Sequence, residues 1–210
     1  DQLAVEEPLL IELVHDREGG RVTESVSVTM RTPGHDGELA LGFLFTEGIV
    51  TSADEVMLPV VEPPVEMGTR DANTVRITLR PGVPVDVRRL ERHFYTASSC
   101  GVCGKTSLEA LAAGREIRVS PECPVIDAAT VHALPDTLRA AQAVFDRTGG
   151  LHAAALFTPE GQLVAVREDV GRHNAVDKLV GAALLAGELP LGERVLLVSS
   201  RTSFELVHKA

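Results

Sequence analysis

Leu151-His152-Ala153-Ala154-Ala155-Leu156-Phe157-Thr158, then Pro159-Glu160-Gly161, then Gln162-Leu163-Val164-Ala165-Val166-Arg167-Glu168, are two strand-length apolar runs joined by a turn-forming triplet. β-branched and small apolar residues bounded by Pro and Gly predict a pair of strands here. Upstream, Pro135 at a first helical turn followed by Leu138, Ala141, Val144 and Phe145 predicts a helix closed by Gly149-Gly150. Downstream, Val176, Leu179, Val180, Ala183 and Leu184 make residues 173–186 an amphipathic helix, stopped by Gly187 and Pro190. Val195-Leu196-Leu197-Val198 inside residues 194–200 predicts a strand buried between helices. A last helix opens at Thr202 or Ser203. The order helix–strand–strand–helix–strand–helix predicts a three-layer α/β domain.

The first half has a different texture. Residues 9–14, 22–30, 55–61 and 74–79 read as strands between Gly and Pro clusters. One helix interrupts them, with Asp36 as its expected N-cap, Leu39, Phe43 and Leu44 on one face, and Gly48 as its end. The expected division is a β-rich α+β domain over 1–95, a loop and linker over 96–123, and the α/β domain over 124–210. With 210 residues, 44% of them hydrophobic, the chain has enough apolar mass for one large core or two small ones.

Composition narrows the partners. A net charge of −10 disfavours bulk electrostatic binding to nucleic acid or to an anionic membrane. Aromatics at 3%, with no Trp, leave little for a base-stacking platform. The acidic start, Asp1 to Glu7, lacks a basic segment followed by an apolar one, and no apolar run approaches the ~20 residues that span a bilayer. Three cysteines are an odd number for a secreted disulfide framework, so a cytoplasmic location is expected. The chain opens without Met and stops within a helical pattern, which leads to the expectation that both natural ends lie outside it.

Chemistry concentrates in Ser98-Ser99-Cys100-Gly101-Val102-Cys103-Gly104-Lys105. Glycines leave the sulfurs of Cys100 and Cys103 uncrowded. An apolar pattern beyond Lys105 (Leu108, Leu111, Ala112) places the pair at a loop-to-helix junction, where helix N–H groups and the Lys105 charge favour a thiolate. Structural zinc is one alternative, with Cys123 as third ligand and His93 or His132 as fourth. Against it, Cys123 lies between Pro121 and Pro124, and there is no second C-x-x-C. A thioredoxin-type dithiol is another, but Phe94-Tyr95-Thr96-Ala97-Ser98-Ser99 precedes the pair where that motif usually follows an apolar strand.

Two further segments are candidate anion sites. Arg172, His173 and Asn174 stand where a strand end meets a helix start, a place that open α/β sheets use for ligands. Ser199, Ser200, Arg201 and Ser203 repeat that logic after the next strand, so the two segments are expected to converge. Ordinary helix capping explains either segment alone. Thr32-Pro33-Gly34-His35-Asp36-Gly37-Glu38 is a third polar turn, mostly accounted for by a turn and a cap. No histidine begins an H-x-E, and no Pro-Cys-x-x-Cys occurs, so the zinc deaminase signature is missing.

Taken together, residues 32–49, 98–105, 148–154, 169–178 and 199–201 resemble the formate dehydrogenase accessory sulfurtransferases, motif by motif and in the family's order. The resemblance implies a sulfurtransferase that takes persulfide sulfur from a cysteine desulfurase; the alternative is a non-catalytic carrier or chaperone of the pterin nucleotide, with the cysteines only shaping the loop. It implies delivery of that sulfur to bis-molybdopterin guanine dinucleotide before insertion into formate dehydrogenase. Cys100 would carry the persulfide and Cys103 would assist. Lys105, Arg172, His173, Asn174, Ser199, Ser200, Arg201 and Ser203 are the expected contacts to the guanine-containing pterin nucleotide, with no structural metal. The resemblance further implies a homodimer and a cytidine deaminase-like fold over 124–210. Family chains continue past the position of Ala210 into a glycine- and basic-residue-containing tail that contacts the guanine nucleotide.

Overall fold

A computed structural model describes residues 2–60, 71–86 and 124–210. Cys100, Cys103, Lys105, Cys123 and the expected 105–112 helix start lie outside the described residues. The described residues form a mixed α/β protein with two three-stranded sheets and five α-helices.

The first sheet has the order β2-β1-β3, from β1 (Glu7–Arg17), β2 (Gly20–Arg31) and β3 (Thr74–Thr78). β1 alternates as a strand with one wet face should, and Leu9, Ile11 and Leu13 are fully buried. Helix α1 (Asp36–Thr46) covers that face with Leu39, Leu41 and Leu44. Asp36 is not its cap. His35 holds that position in the left-handed region at φ 59, while Asp36 accepts two hydrogen bonds from Arg31, at 3.0 and 2.9 Å. A buried guanidinium needs a bidentate partner, and this need outweighs a cap.

The expected strand over 55–61 is not formed over its described part. Ala53–Glu55 is a single 3₁₀ turn, and Val56 makes only an isolated bridge to Leu79. Ser52 accepts from the Asp54 N–H, and Glu55 accepts from Thr51 N–H at 2.7 Å. Such local side-chain bonds bend the chain where composition alone reads extended.

The second sheet has the order β5-β4-β6, with β4 (His152–Phe157) central, β5 (Leu163–Asp169) and β6 (Val195–Val198). The strand pair read from residues 151–168 is present within one residue. The buried strand is β4, however; β6 is a half-buried edge. Helix α2 (Ala128–Ala141) packs Leu134 and Leu138 on one face of this sheet, against Ala153, Ala155 and Phe157. Pro135 lies inside α2 and not at its first turn. It is exposed, so the carbonyl it leaves unpaired faces water and the helix continues. Asp127 caps α2 by accepting from the Thr130 N–H at 2.8 Å, and α3 (Ala143–Thr148) follows.

Helix α4 (Arg172–Ala186) packs on the other face, where Ala175, Val176 and Leu179 meet Ala154 and Leu156. Its opposite side is no solvated face. Asp177, Lys178 and Gly181 are buried against α1. Gly42 and Gly181 sit at that crossing, so the two helix backbones touch directly. The last helix, α5 (Phe204–Lys209), is capped by Ser203, which accepts from the Leu206 N–H.

Candidate ligand site at two strand ends

β5 and β6 are both antiparallel to β4, so they run in the same direction and finish beside the start of β4. This places the segments 169–174 and 199–203 at one edge of the sheet. His152 pairs with Asp169 across β4 and β5, and Ser199 N–H donates to the Ala153 carbonyl at 2.9 Å. The Nε2 of His173 lies 3.5 Å from Ser203 Oγ and 3.2 Å from Glu205 Oε2. The convergence is thus a property of antiparallel pairing on both sides of one central strand.

The residues differ in what they leave available. Ser199 Oγ accepts from the Ala153 N–H at 2.8 Å, and so extends the β-ladder. Asn174 turns inward: its amide donates to Met30 O at 2.8 Å and to Asp169 Oδ1 at 3.0 Å. Glu168 accepts from the N–H groups of Val144 and Phe145, each at 2.9 Å, and thereby caps α3. Arg201 is exposed, and Ser200 donates to its carbonyl at 3.3 Å. Arg172 is half-buried, and its charge acts on the ionisation of both His152 and His173.

Both histidines are held toward the neutral form. For His152 the cause is burial, then the Arg172 charge. For His173 burial comes first, with Arg172 and Lys209 adding repulsion, and the pKa is held down at about 4. Neutral His173 therefore contacts Glu205 by donating its Nε2–H to a carboxylate, which only accepts. A positive rim with uncharged imidazoles behind it suits an anionic ligand with polar edges.

The depressed His173 value has a stability consequence with a definite sign. Well above pH 6.5 neither folded nor unfolded His173 binds a proton, so nothing changes there. As pH falls from 6.5 to about 4, the unfolded chain takes up a proton that the folded one refuses, and stability falls. Denaturant unfolding across that window will show this slope, and H173Q will flatten it. An unchanged slope in H173Q assigns the effect to another group.

A network beneath this edge ties the first sheet to the second. The turn at Thr32 donates its N–H to Asp169 Oδ2 at 3.1 Å and accepts at Oγ1 from the Val170 N–H at 3.1 Å. Lys178 Nζ lies 2.7 Å from Asp169 Oδ2 and donates to the Thr32 carbonyl at 2.8 Å. On the other flank Arg167 grips Glu38 with two bonds, at 2.5 and 2.8 Å. The polar turn at 32–38, which reads in sequence as a turn and cap, is thus the support of the 169–174 segment.

Four residues around His173 escape the sequence reading of the site: His152, Glu47, Glu205 and Lys209, all of which act on its charge or touch it. A signal existed only for His152, which sits two residues after the Gly149-Gly150 pair. It also borders a cleft of about 350 Å³ lined by Phe145, Leu151, Val170 and Val5.

Comparison with known proteins agrees with this architecture. A solved structure described as a formate dehydrogenase accessory protein, from Desulfotalea psychrophila, matches 99% of this chain and 79% of its own, at TM-score 0.62 and 19% identity. That likeness concerns the fold alone. "Sulfur carrier protein FdhD" of Streptomyces avermitilis is 52% identical over 212 residues, covering 100% of this chain and 72% of the relative. The protein of the same name from Mycobacterium tuberculosis is 50% identical over 216 residues, covering 100% and 75%. The profile of the FdhD/NarQ family matches residues 4–210. The chain therefore belongs to the FdhD/NarQ family.

Proposed function

We propose that this protein is a sulfurtransferase that carries persulfide sulfur from a cysteine desulfurase to bis-molybdopterin guanine dinucleotide, for the maturation of formate dehydrogenase. The observation that carries this reading is a match along nearly the whole chain to relatives named as sulfur carriers, joined to Cys100-Gly101-Val102-Cys103 in its own sequence. The Cys100 thiolate attacks the outer sulfur of the donor's persulfide. The donor's S–S bond breaks, its cysteine leaves as a thiolate, and Cys100 becomes the persulfide, with no external oxidant. Cys103 assists, and Lys105 favours the anionic sulfur. The cofactor is the substrate that receives the sulfur.

Arg172 and Arg201 supply the charge for its pyrophosphates, with His173, Ser200 and Ser203 around them, while Asn174 and Ser199 hold the backbone of the two segments in place. A cytidine deaminase-like domain over 124–210, a β-rich domain over 1–95, a homodimer and a cytoplasmic location complete the proposal. No helix among the described residues is long and apolar enough to cross a membrane.

The test is complementation in cells lacking their own sulfur carrier. The C100A, C103A double variant will yield formate dehydrogenase protein without activity; activity at the wild-type level contradicts the reading. In the same protein R172A and R201A will each weaken guanosine diphosphate binding about tenfold, near 1.4 kcal/mol. Unchanged affinity in both places the nucleotide elsewhere.

A further inference from the structure

Lys209 is a buried cation on a helix whose other residues, Leu206 aside, are half-buried or exposed. Its side chain is 2% exposed, and its ammonium joins three elements. It lies 3.0 and 3.1 Å from the two Asp177 oxygens on α4 and donates to Thr46 Oγ1, at the end of α1, at 2.8 Å. Glu47 Oε1 is 3.3 Å away. Thr46 in turn donates to Asp177 Oδ1 at 2.9 Å, so each member has more than one partner. A buried ion pair adds little net stability, because desolvation offsets its attraction; its better-attested use is to fix one arrangement among several.

Apolar burial explains little of the seat of α5. Leu206 is the one buried apolar residue among those described in the helix, while Phe204 is 55% and Val207 58% exposed. The fixing among the described residues is therefore polar, and it acts at two points. Lys209 is anchored in the α1–α4 junction. One turn earlier, Glu205 and the capping Ser203 meet His173. Residues 205 and 209 are one helical turn apart, about 6 Å along the axis, so a shift at the anchor reaches Glu205 undiminished.

We propose that Asp177, Thr46 and Lys209 are positioning residues for the ligand site: they seat α5 so that Glu205 and Ser203 hold His173. They thereby also keep the turn bearing Arg201 at the mouth formed by the ends of β5 and β6. This rests on the reading of that mouth as the site of an anionic nucleotide. None of the three touches the ligand, and each acts through α5.

The test uses the full-length protein with histidine labelled for NMR and guanosine diphosphate as the probe. The groups that face His173 are Glu205 and Lys209 on α5, Glu47 after α1, His152 on β4 and the adjacent Arg172. In K209M the His173 signals will shift and its titration midpoint will rise, since one repelling cation is gone and the ring is less enclosed. Nucleotide affinity will fall about tenfold. K209R, which keeps the charge, will retain both properties within about twofold. T46V removes one hydroxyl without stranding a charge, and will move His173 in the same direction if K209M does not fold.

Lower thermal stability in K209M and T46V, with the His173 titration and the affinity both unchanged, would overturn the proposal and leave the cluster purely structural. If the wild-type protein binds no guanosine diphosphate, the site reading fails instead. The His173 titration then still decides whether Lys209 seats α5.

Discussion

Replacing Lys178 by methionine is expected to destabilise the protein by about 3–5 kcal/mol, the usual cost of stranding one member of a buried ion pair. Lys178 and Asp169 are 1% and 0% exposed and 2.7 Å apart. Asp169 also accepts from the N–H groups of Gly171 at 2.8 Å and Thr32 at 3.1 Å, and from the Asn174 amide at 3.0 Å. In K178M these neutral donors remain, but the carboxylate loses its counter-charge and the Thr32 carbonyl loses its donor. Methionine fills the aliphatic volume, so little of the effect comes from a cavity. The double variant D169N, K178M removes both charges and will be less destabilised than the two single changes summed. Because the pair bridges the Thr32 turn and α4, K178M will also loosen the 169–174 segment. Chemical denaturation checks the magnitude; a loss below about 1 kcal/mol means that water or a neighbouring group replaces Lys178.

The second large effect is expected from G42A or G181A, and its sign is diagnostic. In an ordinary helix interior, Gly→Ala stabilises by nearly 1 kcal/mol. At Gly42 a Cβ would be driven into the Asp177 carbonyl and toward the Gly181 N–H; at Gly181 it would meet the Glu38 carbonyl and the Gly42 N–H. These are backbone atoms of two packed helices, and no rotamer change moves them aside. Either substitution must push α1 and α4 apart, at a cost of about 3 kcal/mol or more. Separation also stretches the Thr46–Asp177–Lys209 cluster that spans the same two helices. Gly192 has open space around it, and G192A will stay within about 0.5 kcal/mol of the parent. Stabilisation by G42A and G181A together would contradict the direct backbone contact.

Much of this architecture is legible in sequence wherever one strand or helix decides its own pattern. Leu9, Ile11 and Leu13 announce β1 by alternation, and the Pro159-Glu160-Gly161 turn fixes the β4–β5 pair. What escapes is whatever depends on a partner distant in the chain. Asp177 and Lys178 fall outside the apolar pattern of their helix, and nothing near them in sequence reveals that α1, some 130 positions upstream, buries them. Asp36 reads as a cap because nothing local reveals that the neighbouring Arg31 is buried and needs it. Pro135 reads as a helix start because sequence does not show which side of α2 faces water. At the candidate site, the two strand-end segments were legible as helix entrances. The sequence does not show that Ser199 and Asn174 turn their side chains to structural partners, nor that α5 brings Glu205 to His173.

The most direct measurement bears on Cys100. The purified full-length protein is incubated with a cysteine desulfurase and cysteine, and its peptides are then weighed by mass spectrometry. The account predicts the added mass of one sulfur atom on the peptide containing Cys100 and Cys103, removed by dithiothreitol and lost in C100A. A desulfurase that turns over while this peptide gains no sulfur would contradict sulfur carriage by this loop.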